Sequence, residues 1–221
     1  GVLVRRTAGS PKPGPMAIVG KRGWIYTPCS LTNVRRSGWP VRPPRRDFLP
    51  ESARAMAEHR DFIPLDQAKP PFFVGVDLGG TNTKVGLVDD AGRPLAWLSI
   101  PTRVERGPDD AVLRMGKTIK QVIQKAGLKA SAVPRVGLGS PGTMDIPAGM
   151  LLKPVNLRGW DDYPLRDKLA AACGFPVAFE NDANAAAYGE FWVGSGRDYS
   201  SLVLLTLGTG IGCGSSVGDL L

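Results

Sequence analysis

A chain of 221 residues with 43% apolar content can build one large domain or two small ones around a real core. Its three cysteines, Cys29, Cys173 and Cys213, lie far apart with no C-x-x-C pair, which argues against a disulfide framework or a zinc site within this chain and fits a reducing cytoplasm. The net charge of +8 sits entirely in the first third: residues 1–70 hold 13 Lys/Arg and 5 Asp/Glu, whereas residues 71–221 hold 15 of each.

Residues 1–70 form a basic leader rich in Pro, Gly and Arg, with segments such as SPKPGP and GWPVRPPRR and half of the chain's 20 prolines. No helical or alternating period persists in residues 1–50, so disorder is the plain expectation. A nucleic-acid-binding arm is a second reading of the same charge. A third is that the segment is not native coding sequence: the chain begins at Gly1, while Met56 opens a stretch that leads into the folded region. No apolar run approaches the ~18 residues needed to span a bilayer, and the N-terminus has no continuous apolar stretch of a secretory signal.

The pattern changes at residue 71. PFFVGVDL reads as a short buried strand ending in turn residues. TKVGLVDD alternates, with Val85, Leu87 and the neighbouring Val88 apolar, and PLAWLSIPT returns after the turn DDAGRP. These three strands are expected as an antiparallel meander that begins with a hairpin around GGTNT. Asp109 and Asp110 suit the start of a helix, Val112, Met115, Ile119, Val122, Ile123 and Ala126 recur at helical spacing, and Gly127 suits its end. PRVGLGS is a strand, residues 165–172 a short helix, FPVAFEND a strand, ANAAAYGEFWVG a helix, and SSLVLLTLGTGIG a further strand ending in glycines. The order β-β-β-α-β-α-β-α-β predicts an α/β fold, a mixed sheet with helices on its faces.

Three strand ends carry polar or glycine-rich sequence: DLGGTNTK, ENDANAA and TLGTGIGCG. The first is not a G-x-x-x-x-G-K-[ST] loop, because the order differs and no helix pattern follows. Glycines nevertheless let a backbone approach an anion, and free N–H groups with threonine hydroxyls can donate to its oxygens. Each glycine segment alone is only a turn, and Glu180, Asn181 and Asp182 alone are helix caps. Two such turns with a carboxylate-bearing strand between them suggest more: phosphate held on both sides, and Asp182 accepting the proton of a hydroxyl that attacks a phosphoryl group. Asn181 can donate to and accept from sugar hydroxyls.

FVGVDLGGTNTKVGLVDDAG, GLGSPGTMD, NLRGW, FENDANAAAYGE and LTLGTGIGCG, in this order over residues 71–214, resemble the ROK family of sugar kinases and repressors. The resemblance implies an actin/hexokinase-like (ribonuclease H-like) ATPase fold, here cut short after the second phosphate motif. It implies transfer of the ATP γ-phosphoryl group to a hexose hydroxyl, glucokinase-like, with ATP and Mg²⁺. Asp77, Gly79, Gly80, Thr81, Asn82 and Lys84 match the first phosphate motif, with Asp77 near the metal, and Gly208, Thr209 and Gly210 match the second. Asp182 matches the general base and Asn181 a sugar ligand. Gly142 and Thr143 fall in the sugar-binding loop. Asn156 matches a residue lining the sugar pocket, where Trp160 either contributes or packs within the domain.

Family kinases continue past this point with a segment that brings a glutamate and a histidine to the sugar and a cysteine cluster that binds structural zinc with that histidine. The only histidine here, His59, lies outside the matched region, so those zinc ligands are absent from this sequence, as are much of the adenine pocket and several sugar ligands. Residues 56–221 alone are therefore expected to be weak or inactive in glucose-dependent ADP release. A homodimer is the family expectation for a full-length protein; no membrane and no nucleic acid are expected as partners. The alternative is a sugar-responsive transcriptional repressor of the same family, which needs an N-terminal winged helix-turn-helix; residues 1–50 lack two amphipathic helices around a short turn. Natural translation is expected to start near Met56. Mass spectrometry of the native N-terminus checks this, and a peptide containing Trp24 would overturn it.

Overall fold

The computed structural model describes residues 62–194, 196–207 and 211–217, together with two short strands in the leader. Those strands, β1 (Ile18–Gly20) and β2 (Trp24–Tyr26), pair as an antiparallel hairpin. The rest of the leader to residue 61, Met56 included, lies outside the described residues, whereas at the leader's end the Ile63 N–H donates to the Pro94 carbonyl at 2.9 Å.

The meander forms as expected from β3 (Phe73–Leu78), β4 (Asn82–Val88) and β5 (Pro94–Pro101), all antiparallel. Helix α1 (Pro108–Lys125) follows, then β6 (Arg135–Ser140), which pairs parallel to β3. A hairpin that the periodicity did not reveal comes next, β7 (Thr143–Asp145) with β8 (Met150–Lys153). Helix α2 (Leu165–Cys173) leads to β9 (Val177–Asn181), parallel to β6, and then to α3 (Asp182–Trp192). The five-stranded sheet has the order β5-β4-β3-β6-β9. The last expected strand is a hairpin instead: β10 (Ser201–Leu207) pairs antiparallel with β11 (Ile211–Val217) as a separate sheet.

Alternation builds the core. Val74, Val76 and Leu78 of β3, Val85 and Leu87 of β4, and Val136 and Leu138 of β6 are buried on one face. The apolar stripe of α1 (Val112, Met115, Ile119, Val122 and Ile123) joins them in one cluster, and each such side chain contributes about 1.5–3 kcal/mol on burial. Pro108 opens α1, where its missing N–H costs no helical bond, and Asp109 and Asp110 occupy the first turn. Gly127, at φ 74°, ends it: Leu128 N–H donates to the Ile123 carbonyl at 3.1 Å and Gly127 N–H to that of Gln124 at 2.9 Å. Helix α2 crosses α1 closely, because a Cβ on Gly116 would stand 2.9 Å from the Ala172 carbonyl oxygen. Trp160 is fully buried in this cluster beside Tyr163, so the packing reading holds for it.

The opposite face of the sheet carries α3. Gly139 of β6 faces Ala185 and Asp182 of that helix, and the Phe73 ring meets Trp192 edge-on at 6.2 Å. A second small cluster, Ala187 with Leu202 and Leu204, joins α3 to β10. Among the described residues no helix is long and apolar enough to cross a membrane.

Asp89 closes the turn between β4 and β5 without solvent exposure. Its carboxylate accepts from the backbone N–H groups of Lys69, Ala91 and Arg93 at 2.9–3.1 Å and from the Arg93 guanidinium, whose Nη2 lies 2.6 Å away. Burial pushes this carboxyl up, but Arg93 and the backbone donors outweigh it and hold the group below the usual carboxylate range. A folded-state pKa below the unfolded value stabilises the fold above the unfolded pKa of about 3.9 and loses that contribution as pH falls through the folded value. Asp89→Asn is expected to cost about 1.5–3 kcal/mol at pH 7, since Arg93 is partly exposed and can be resolvated. Urea unfolding at pH 7 and pH 3 checks it: the gap between wild type and variant narrows at the lower pH, and a constant gap would refute a charge-dependent clamp.

Candidate active site

Strands β3, β6 and β9 run parallel, so their carboxyl ends lie on one edge, where ligands of open α/β sheets collect. The register is specific: Asp77 lies beside Gly139, Gly139 beside Glu180, and Ser140 beside Asn181. A Cβ on Gly139 would stand 3.6 Å from the Asp182 Cα, so the first turn of α3 sits on β6 next to the strand that carries Asp77 near its end. Asp77, Asn181 and Asp182 are thus brought to one edge.

The predicted phosphate turn joins β3 to β4. Gly79 N–H donates to the Asn82 carbonyl at 3.2 Å. A Cβ on Gly79 would stand 2.7 Å from that same carbonyl oxygen, and one on Gly80 would stand 2.9 Å from the carbonyl oxygen of Asn156. Both glycines are therefore required by close backbone approach. Thr81, Asn82 and Lys84 are exposed. Lys84 Nζ lies 3.0 Å from Asp77 Oδ2, its direct cross-strand neighbour, and both side chains are about half exposed. Such a pair is worth at most about 1 kcal/mol, so it orients the two groups more than it stabilises the fold.

The predicted sugar-side residues also converge. Gly142, at φ 99°, abuts Pro154: a Cβ there would stand 2.7 Å from the Pro154 Cα. Thr143 pairs with Lys153, and its Oγ1 accepts from the Lys153 backbone N–H at 3.3 Å. Asn156 follows two residues after Pro154 and meets Gly80, so the sugar-side loop and the phosphate turn touch. Beside them lies an open cleft of about 490 Å³ lined by Gly80, Val104, Glu105, Val155, Asn156 and Arg158.

At the third strand end Asn181 is a true helix cap. Its Oδ1 accepts from Ala183 N–H at 2.9 Å and Asn184 N–H at 3.4 Å. Glu180 Oε1 accepts from Asn181 N–H at 2.8 Å and from the Asn184 side-chain amide at 3.1 Å. Asp182 Oδ1 accepts from Ala183 N–H at 2.9 Å, within the first turn, where helix geometry favours negative charge. The capping reading is thus correct for Asn181, and Glu180 and Asn184 brace the turn that presents Asp182. Gly208, Thr209 and Gly210 lie outside the described residues. Their flanks are placed: Leu207 pairs with Ile211, and Gly212 packs against Ala183, the residue after Asp182.

One residue of this region carries no signal in the sequence. Thr102, fully buried at the end of β5, donates its hydroxyl to the Gly79 carbonyl at 2.6 Å and its N–H to the Thr81 carbonyl at 2.9 Å. The register of β4 on β5 would have found it, because Asn82 opposes Pro101. Among the described residues no group of three or more His, Cys, Asp or Glu side chains is arranged to hold a metal by itself. Asp77 offers a single hard oxygen donor, which suits a Mg²⁺ ion that takes its other ligands from phosphate and water.

Similarity to known proteins runs through the same residues. The chain is 44% identical over 141 residues to a glucokinase of Thermotoga maritima, an alignment covering 64% of this chain and 43% of that protein. The structure of a ROK hexokinase from Thermus thermophilus superposes with a TM-score of 0.60 at 36% identity, covering 67% of this chain and 47% of the other. A ROK family glucokinase of Streptomyces griseus, solved with glucose and AMPPNP, gives 0.57 at 35% identity, covering 67% and 45%. The chain thus spans less than half the length of these relatives and shares their actin/hexokinase-like fold over the part that superposes. The family signature itself matches residues 73–219, well over half of the sequence, and the chain belongs to the ROK family.

Proposed function

We propose that this chain carries part of the active site of an ATP-dependent hexose kinase, glucokinase-like, acting in the cytoplasm. The observation that carries the reading is the placement of Asp182. It stands at the first position of α3, packed on Gly139, at the strand edge that also bears Asp77 and the glycine turn. Likeness to glucokinases, one of them solved with a sugar and an ATP analogue, supports it.

In this reading the Asp182 carboxylate accepts the proton of the hexose 6-hydroxyl as that oxygen attacks the γ-phosphorus. The bond from the γ-phosphorus to the β–γ bridging oxygen breaks, and ADP leaves with that electron pair. Gly79, Gly80, Thr81, Asn82 and Lys84 hold phosphate on one side, and Gly208, Thr209 and Gly210 on the other. Asp77 would hold a Mg²⁺ ion, which neutralises phosphate charge when bound. Asn181 spends its Oδ1 on the helix cap, so it offers the sugar its amide N–H₂ as a donor. Gly142, Thr143 and Asn156 line the sugar side. Rate comes chiefly from orientation and from exclusion of water.

In the full-length natural protein, Asp182→Asn is expected to lower kcat by about 10²–10⁴-fold, with the KM for glucose within about threefold of wild type. A coupled ADP-release assay reads both. Near-normal turnover would remove Asp182 from the role of base. No ADP release by wild type with glucose, mannose or N-acetylated amino sugars would overturn the kinase reading in favour of the repressor, which has no need of a base at Asp182.

A further inference from the structure

We propose that Thr102 is a positioning residue for the phosphate turn, fixing the Gly79–Asn82 backbone so that its amide groups meet the phosphates of a nucleoside triphosphate. The proposal rests on the kinase reading of that turn. Three contacts define it. The Thr102 hydroxyl donates to the Gly79 carbonyl at 2.6 Å, its N–H donates to the Thr81 carbonyl at 2.9 Å, and its Oγ1 lies 2.9 Å from Thr83 Oγ1.

A hydroxyl has one hydrogen. Thr102 gives its hydrogen to Gly79, so in the contact between the two threonines Thr83 must be the donor. The result is a directed relay, Thr83 to Thr102 to the Gly79 carbonyl, among side chains at 1% and 0% exposure. A trans peptide points its C=O and the following N–H in opposite directions. With the Gly79 and Thr81 carbonyls both turned to Thr102, the N–H groups of Gly80 and Asn82 point away from it. Thr102 thereby sets the direction of two amide donors in a turn whose glycines have no side chains to do so.

The anchor behind Thr102 is firm. Arg114 of α1 donates to the carbonyls of Pro101 and Thr102, and its Nε lies 2.6 Å from Asp110 Oδ2. Arg106 also pairs with Asp110, at 2.8 Å. The turn is therefore referenced to the first turn of α1 and not only to its own hairpin.

The test compares Thr102→Val, which keeps the shape and removes the hydroxyl, with Thr102→Ser, which keeps the hydroxyl, in the full-length natural protein. The valine variant is expected to raise the KM for ATP about tenfold, leaving the KM for glucose within about twofold, and serine restores it to within about threefold. Thr102→Ala replaces the valine variant if the latter does not fold. Amide hydrogen exchange at Gly80 and Asn82 gives a second readout, about tenfold faster in the valine variant and near wild type in the serine variant. An unchanged KM for ATP, equal impairment by valine and serine, or equal shifts in both KM values would overturn the proposal. ADP titration separates this from the kinase reading: if wild type lacks hexose-dependent turnover but Thr102→Val still weakens ADP binding, the kinase reading fails and the positioning role stands.

Discussion

The proposed site depends on backbone meeting backbone where the predicted phosphate turn touches the predicted sugar-side loop. At Gly80 a single added carbon would lie 2.9 Å from the Asn156 carbonyl oxygen, and neither partner is a side chain that can swing aside. The same device recurs at Gly142 against Pro154, where an added carbon would lie 2.7 Å from the Pro154 Cα, whereas at Gly139 it would meet the start of α3 at an ordinary 3.6 Å. Segments distant in sequence are thus packed at one sheet edge, at Gly80 and Gly142 at distances that only glycine permits. A protein interior close-packed in this way transmits displacement and does not absorb it.

Rigid elements stand behind each of these loops. The sheet core and α1 fix β3 and β6, and the buried Asp89 closes the β4–β5 turn with five donated hydrogen bonds, so the meander cannot open at that end. On the other side the helix cap has two jobs. Asn181 satisfies the first N–H groups of α3, and in doing so it orients the residue after it, Asp182. Glu180 and Asn184 hold that turn from outside through a shared carboxylate oxygen. Phosphoryl transfer needs positioned groups more than it needs reactive ones, and this is an arrangement that positions.

What could be read from the sequence follows the range of the forces involved. The meander, α1, α2 and α3 were legible because period, first-turn carboxylates and a terminal glycine act within a few residues, and Gly127 does adopt the left-handed backbone expected of it. The β7–β8 hairpin was hidden because it has almost no apolar alternation: only Leu151 of its strand residues is buried. Strand β11 (IGCGSSV) carries almost no apolar alternation. Gly214 abuts the Ala183 carbonyl and Ala187, and Gly212 abuts Ala183, so small residues are what its position against α3 demands. The strand ends DLGGTNTK and ENDANAA marked the sheet edge to which Asp77, Asn181 and Asp182 are brought. The sequence could not give the Gly80–Asn156 contact or the work of Thr102, since both join residues far apart in the chain.

The placement of Asn156 also bears on how the two substrates would communicate. A sugar held at Gly142, Thr143 and Asn156 would press on a main chain that is already in contact with Gly80. The phosphate turn, in turn, is tied through Thr102 and Arg114 to α1. Movement of the sugar-side loop cannot leave the turn in place unless that contact opens, and opening it would cost the packing that the two glycines secure. Under the proposed kinase reading, coupling between the sugar and phosphate sides would require no separate mobile element, because the two loops are in direct main-chain contact.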